Sequence, residues 1–106
     1  MARAYDDSDG IRQLCASVIA QAAADLANIP TARCRRTIAA KGRCFCIDCE
    51  ARHSADRVLR HGNKSLAFWA TPLDLDIAAI VDRARANVPR RQAARLKLYK
   101  DKGVIL

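Results

Sequence analysis

Four of the chain's five cysteines, Cys34, Cys44, Cys46 and Cys49, fall within sixteen consecutive residues. A segment that short cannot bury enough apolar surface to fold alone, so the cluster is a disulfide framework, a metal staple or a set of reduced cysteines packed into a small core. Two features favour the metal. The cysteine count is odd, and Met1 to Gly10 carries three Asp and no apolar core, which predicts no secretory signal and hence a reducing, cytoplasmic setting. Zinc takes four soft or borderline ligands in a tetrahedron. Cys46-x-x-Cys49 offers two at knuckle spacing on the turn into a helix. His53, one helical turn beyond Cys49, offers a third, and Cys34 or Cys44 the fourth. The candidate ligands of a structural Zn2+ are therefore Cys34, Cys44, Cys46, Cys49 and His53. No Glu follows a metal His at helical spacing, as a zinc hydrolase requires, and no βαβ pattern surrounds the CxxC, as a thioredoxin-type redox pair requires.

The rest of the chain predicts a mostly α, small single domain of four or five short helices around this central cysteine loop. Its parts are an N-terminal helix (10–28), the Cys/His region (29–62) and a helical hairpin with a basic C-terminal helix (63–106). Asp7, Ser8 or Asp9 can cap the first helix. Its apolar stripe is Ile11, Leu14, Cys15, Val18, Ala22 and Leu26, which makes Cys15 a small core residue rather than a ligand. Pro30 ends that helix near Asn28. Thr31 caps a second helix that Gly42 ends. A third starts near Asp48 and runs to His61, with Gly62 just past it. Phe68 and Trp69 are expected to anchor the core. Thr71-Pro72 opens an amphipathic helix with the stripe Leu73, Ile77, Ile80, Val81, Ala84 and Val88. Asn87-Val88-Pro89 is expected to break it, leaving a last helix to Lys102 with Ala93, Leu96 and Tyr99 or Ala94 turned inward, and Val104 onward as a short strand.

Charge is the second constraint. The chain carries +8, and the window Arg83 to Lys102 alone supplies +7: Arg83, Arg85, Arg90, Arg91, Arg95, Lys97, Lys100 and Lys102 against Asp101. A localised cationic segment points to a polyanion, with nucleic acid first. The competing reading is a solvated helix face. No run approaches the roughly 18 apolar residues that span a bilayer, so no membrane partner is expected.

Two resemblances add to this. Ile29-Pro-Thr-Ala-Arg33, followed by Gly42-Arg-Cys-Phe-Cys-Ile-Asp-Cys-Glu50, resembles the second half of the zinc finger in DksA/TraR-type proteins, with Cys46 and Cys49 as the second cysteine pair. Asp25 to Asn28 stands where that family has its first pair. The Asp-rich start, Asp6, Asp7 and Asp9, is similar to that of the family's short phage- or plasmid-encoded members. The resemblance implies RNA polymerase as partner, entered through its secondary channel with those acids near the catalytic centre, and transcription regulation as the outcome. Separately, Asn87 to Ile105 resembles the turn and recognition helix of a winged helix-turn-helix. That likeness implies Arg90, Arg91 and Gln92 at base edges and Arg95, Lys97, Lys100 and Lys102 toward phosphates.

The sequence therefore predicts a zinc-stapled regulatory protein that binds nucleic acid or a transcription complex by occupancy and not by catalysis. No Gly-rich phosphate loop, nucleophile elbow or paired-carboxylate site is present, and His61 sits at a helix end where a cation is favourable without any further role. The alternative is a protein-interaction module, such as a phage or mobile-element inhibitor of a host or defence protein.

Overall fold

The computed structural model describes residues 7–104, with side chains from residue 9 onward. Among these the chain forms α1 (Asp7–Leu26), α2 (Ala32–Lys41), α3 (Ile47–Val58), α4 (Lys64–Ala70), a 3-10 turn (Thr71–Leu73) and α5 (Ile77–Asp101), with no strand. It is one small, mostly α domain. Among the described residues no helix is long and apolar enough to cross a membrane.

The core lies where α1, α3, α4 and the first half of α5 meet. Leu26, Ala55, Leu59, Leu66, Val81 and Ala84 are its buried members, with Ile19, Ala22, Ala23, Ile77, Ile80 and Val88 packed around them. Cys15 is buried as expected, whereas Ile11 and Leu14, on the same expected stripe, are exposed. Three of the helix starts share a local chemical reason. Thr31, Asn63 and Asp76 sit in extended conformation and accept from the backbone N–H groups of Cys34, Leu66 and Ala78. Gly42, at φ 81°, closes α2 in the left-handed conformation, and its N–H donates to the Ile38 carbonyl.

Four expectations are corrected. The third helix ends at Val58, short of His61, because Leu59 drops fully into the core and Arg60 to Gly62 turn the chain. Phe68 and Trp69 do not anchor the core. On a seven-residue helix the i, i+4 pair Leu66 and Ala70 takes the buried face, which leaves Phe68 70% exposed, stacked edge-on with Trp69 at 5.3 Å. Thr71-Pro72 makes only a 3-10 turn. Asp74 then adopts the left-handed conformation at φ 53°, and Asp76 caps the long helix instead.

The fourth correction concerns Pro89. The chain does not break there: α5 is a single helix of 25 residues, roughly 37 Å long, with Pro89 inside it. The proline forfeits the hydrogen bond to the Arg85 carbonyl. The helix is nevertheless anchored on both sides. Val81, Ala84 and Val88 pack into the core before it, and Arg95 after it donates to the Ala24 carbonyl at 2.8 Å and to the Asn28 side chain. Residues 63–106 are therefore not a hairpin of two long helices, and a turn and recognition helix are not formed. The expected inward side chain Leu96 is exposed, Val104 is not in a strand, and Ile105 lies outside the described residues.

Candidate metal centre

α2 makes no extensive packing contact with any other helix. Its one buried residue is Cys34, and the small cluster that buries it consists of Cys34, Cys44 and Cys49 with Ile38 alongside. Sulfur therefore takes the place that apolar side chains hold elsewhere in the molecule.

The four sulfurs come from three places. Cys34 projects from the first turn of α2, Cys44 and Cys46 come from the loop after Gly42, and Cys49 from the first turn of α3. Cys46 is also the N-cap of α3, its sulfur accepting from the Cys49 N–H at 3.5 Å. All four sulfurs lie within 4.8 Å of one another, and Cys34 and Cys46 are 3.8 Å apart. A metal held by four thiolates at about 2.3 Å requires tetrahedral edges of about 3.8 Å. Cys34, Cys44 and Cys49 are buried and Cys46 is exposed. The cluster thus has the donor type, number and spacing of a closed tetrahedral metal site.

The acidities of the thiols differ with their surroundings. The Thr31 hydroxyl donates to the Cys34 sulfur at 3.3 Å, and the Thr31 backbone adds to this, lowering the Cys34 thiol to about 6. Burial pushes Cys49 strongly upward, reinforced by the neighbouring thiols. The Cys46 backbone pulls Cys44 down, but burial and the adjacent Cys46 and Cys34 side chains outweigh it and Cys44 ends raised. Only a bound cation lets four such neighbours be thiolates together.

The sequence expectation left Cys34 and Cys44 as alternatives beside His53. The structure brings both cysteines into the cluster and leaves His53 out. His53 sits a turn further along α3 and instead lines a hollow with Ile38, Arg43, Cys44, Cys49 and Arg52. The four cysteines already supply a tetrahedral donor number without the imidazole.

The basic C-terminal segment is divided by the fold. Arg85 donates to the Leu59 carbonyl at 2.9 Å, the Asp56 carbonyl at 3.0 Å and the Asp56 carboxylate at 3.2 Å, so it closes the C-terminal end of α3. Arg95, expected toward phosphates, points inward to α1. Arg91 and Gln92 are half-buried, and Arg91 and Arg83 both line a groove between α1 and α5. Arg83, Arg90, Lys97 and Lys100 are exposed. At 100° per residue these four lie opposite the core-facing Ile77, Val81, Ala84 and Val88, and among the described residues no carboxylate pairs with them. Lys102 is the exposed C-cap. Of the acids expected at a polymerase, Asp6 and the side chain of Asp7 lie outside the described residues, and Asp9 is exposed in the first turn of α1.

No protein-family model, curated protein or solved structure matches this chain. The clustering of the four cysteines was legible in the sequence, whereas the structural duties of Arg85 and Arg95 depend on partners 26 to 71 residues away and leave no local trace.

Proposed function

We propose that the chain is a zinc-stapled nucleic-acid-binding protein that acts by occupancy. Zn2+ held by Cys34, Cys44, Cys46 and Cys49 orders α2 and its loop, and the outer face of α5 meets phosphates. The observation that carries the binding half is the row Arg83, Arg90 and Lys97. Its seven-residue spacing puts three cations on one face of a single helix, over an axial length of roughly 21 Å. Small exposed residues, Ala86 and Ala93 between them and Ala79 a turn before, leave that face open to a polyanion.

A gel-shift titration with generic duplex and single-stranded DNA at about 50 mM salt tests this. The triple variant Arg83→Gln/Arg90→Gln/Lys97→Gln is expected to reduce the salt slope of duplex binding by about 2.7. Parent protein that binds neither probe overturns the reading.

A second reading has one observation of its own. Leu96 and Leu98 flank Lys97 and are exposed. Apolar side chains beside a cation suit an acidic groove on a protein, as an inhibitor of a host enzyme would use. Retained partner capture by the triple variant, with loss in Leu96→Ser/Leu98→Ser, would favour this reading.

A further inference from the structure

The strongest feature that α5 does not absorb is the surface built by α2 and the cysteine loop. From residue 31 to residue 47 the chain carries Arg33, Arg35, Arg36, Lys41 and Arg43 and no acid. All five are exposed. Asp48 and Glu50 follow, with Glu50 accepting from Arg43 at 2.8 Å. Zinc bound by four thiolates would bring a net charge of two minus beneath this surface. Counting that site, both acids and Arg52, the region still retains a positive excess of two. The cations therefore exceed what the metal centre needs for neutrality.

At the tip of the same loop stand two apolar side chains with nothing to bury them. Phe45 is 66% exposed and Ile47 88% exposed. The Arg43 guanidinium lies over the Phe45 ring, 4.8 Å from its centroid. Phe45 also borders an open hollow of ≈ 490 Å³ that opens onto the sulfur cluster: Cys34, Cys44 and Cys46 line it together with Arg33, Lys41, Thr31, Thr37 and Asp48. An exposed aromatic ring beside a cation-rimmed hollow is the arrangement that takes an unstacked base on the ring and its phosphate on the cations. A duplex offers no free base face to such a ring.

We propose that the α2–loop face binds single-stranded nucleic acid, with Phe45 as the stacking platform and Arg33 and Lys41 as phosphate contacts. This deepens the nucleic-acid reading of α5 and rests on it only in the chemical class of the partner. The two surfaces are separable by mutation.

The test uses the full metal-loaded chain and fluorescein-labelled oligothymidylate and oligouridylate of about twelve nucleotides, with a duplex of equal length as the third probe. Phe45→Ala is expected to weaken binding of the single strands about tenfold or more and leave the duplex unchanged. Phe45→Trp is expected to restore binding. Arg33→Gln/Lys41→Gln is expected to reduce the single-strand salt slope by about 1.4. Metal content and helicity equal to the parent's show that the site is intact in each variant. A stronger effect on oligouridylate than on oligothymidylate identifies RNA as the preferred strand, and the reverse identifies DNA. Parent-like single-strand binding by both Phe45→Ala and Arg33→Gln/Lys41→Gln overturns the proposal. If the α5 triple variant alone then loses binding, the α5 reading stands without it. If Phe45→Ala loses single-strand binding and the α5 triple variant keeps parent-like duplex binding and salt slope, the α2–loop face stands and the α5 reading falls.

Discussion

Two regions of this molecule are held together by different physics. The core among α1, α3, α4 and α5 is closed by Leu26, Leu59, Leu66 and Val81, and its stability comes from apolar burial. The α2–loop unit buries three cysteines and has only Ile38 alongside. The two are joined through α3, which places Cys49 at its start and Ala55 at its end, with Leu59 capping it. A second tie runs through Asn28, which accepts from Arg95 of α5 and donates to the Asp48 carbonyl at 3.2 Å. The dependence is therefore one-way. The core needs nothing from the sulfurs, whereas the sulfurs need α3 held still by the core.

Removing the proposed metal is the strongest way to break that asymmetry. Structural zinc in small domains supplies on the order of 10 kcal/mol of folding free energy. Chelation, or Cys49→Ser, is expected to melt α2 and the loop while α1 and α5 stay folded. Hydrogen exchange checks this residue by residue. Amides of 32–46 should lose protection, and those around Val81 and Ala84 should keep it. A simultaneous loss everywhere would show that the metal carries the whole fold. The converse experiment sharpens the comparison. Leu59 is fully buried, and Leu59→Ala is expected to cost about 2–5 kcal/mol of global stability by urea unfolding. Because α3 carries both Leu59 and Cys49, metal affinity should fall with it.

How much of this was legible in the sequence follows from the range of the interactions. The cysteines, the Thr31 cap and the Gly42 stop are decided within a few residues and are readable. The share of His53 was not, because whether one or two further cysteines reach the site depends on how α2 folds back. Phe68 and Trp69 misled because size argues for burial, while helical phase gave the inner face to Leu66 and Ala70. Pro89 misled because its cost is local, while the anchors that override it, Val81 on one side and Arg95 on the other, are tertiary. The basic segment was visible as composition. Its division into outward cations and inward structural arginines was not.

The smallest effect concerns Arg85, which ties the end of α3 to α5. It reaches Asp56 together with Arg60, and Arg60 first, then Arg85, hold the Asp56 carboxyl below its usual 3.8 against the opposing effect of burial. A depressed acid stabilises the fold above its unfolded pKa, and that contribution is lost as pH falls through the folded value. The group is 41% exposed, so solvent screens it, and Asp56→Asn is expected to cost only about 0.5–1 kcal/mol near neutral pH. The thiolates of the metal site also take up protons in acid, so absolute stability at low pH mixes two processes. The difference between parent and Asp56→Asn cancels the shared one. That difference should be constant from pH 7 down to about 5 and shrink toward zero below 3.8. No difference near neutral pH would mean that Arg85 works through its bonds to the Asp56 and Leu59 carbonyls alone, and that the carboxylate contributes nothing to joining α3 to α5.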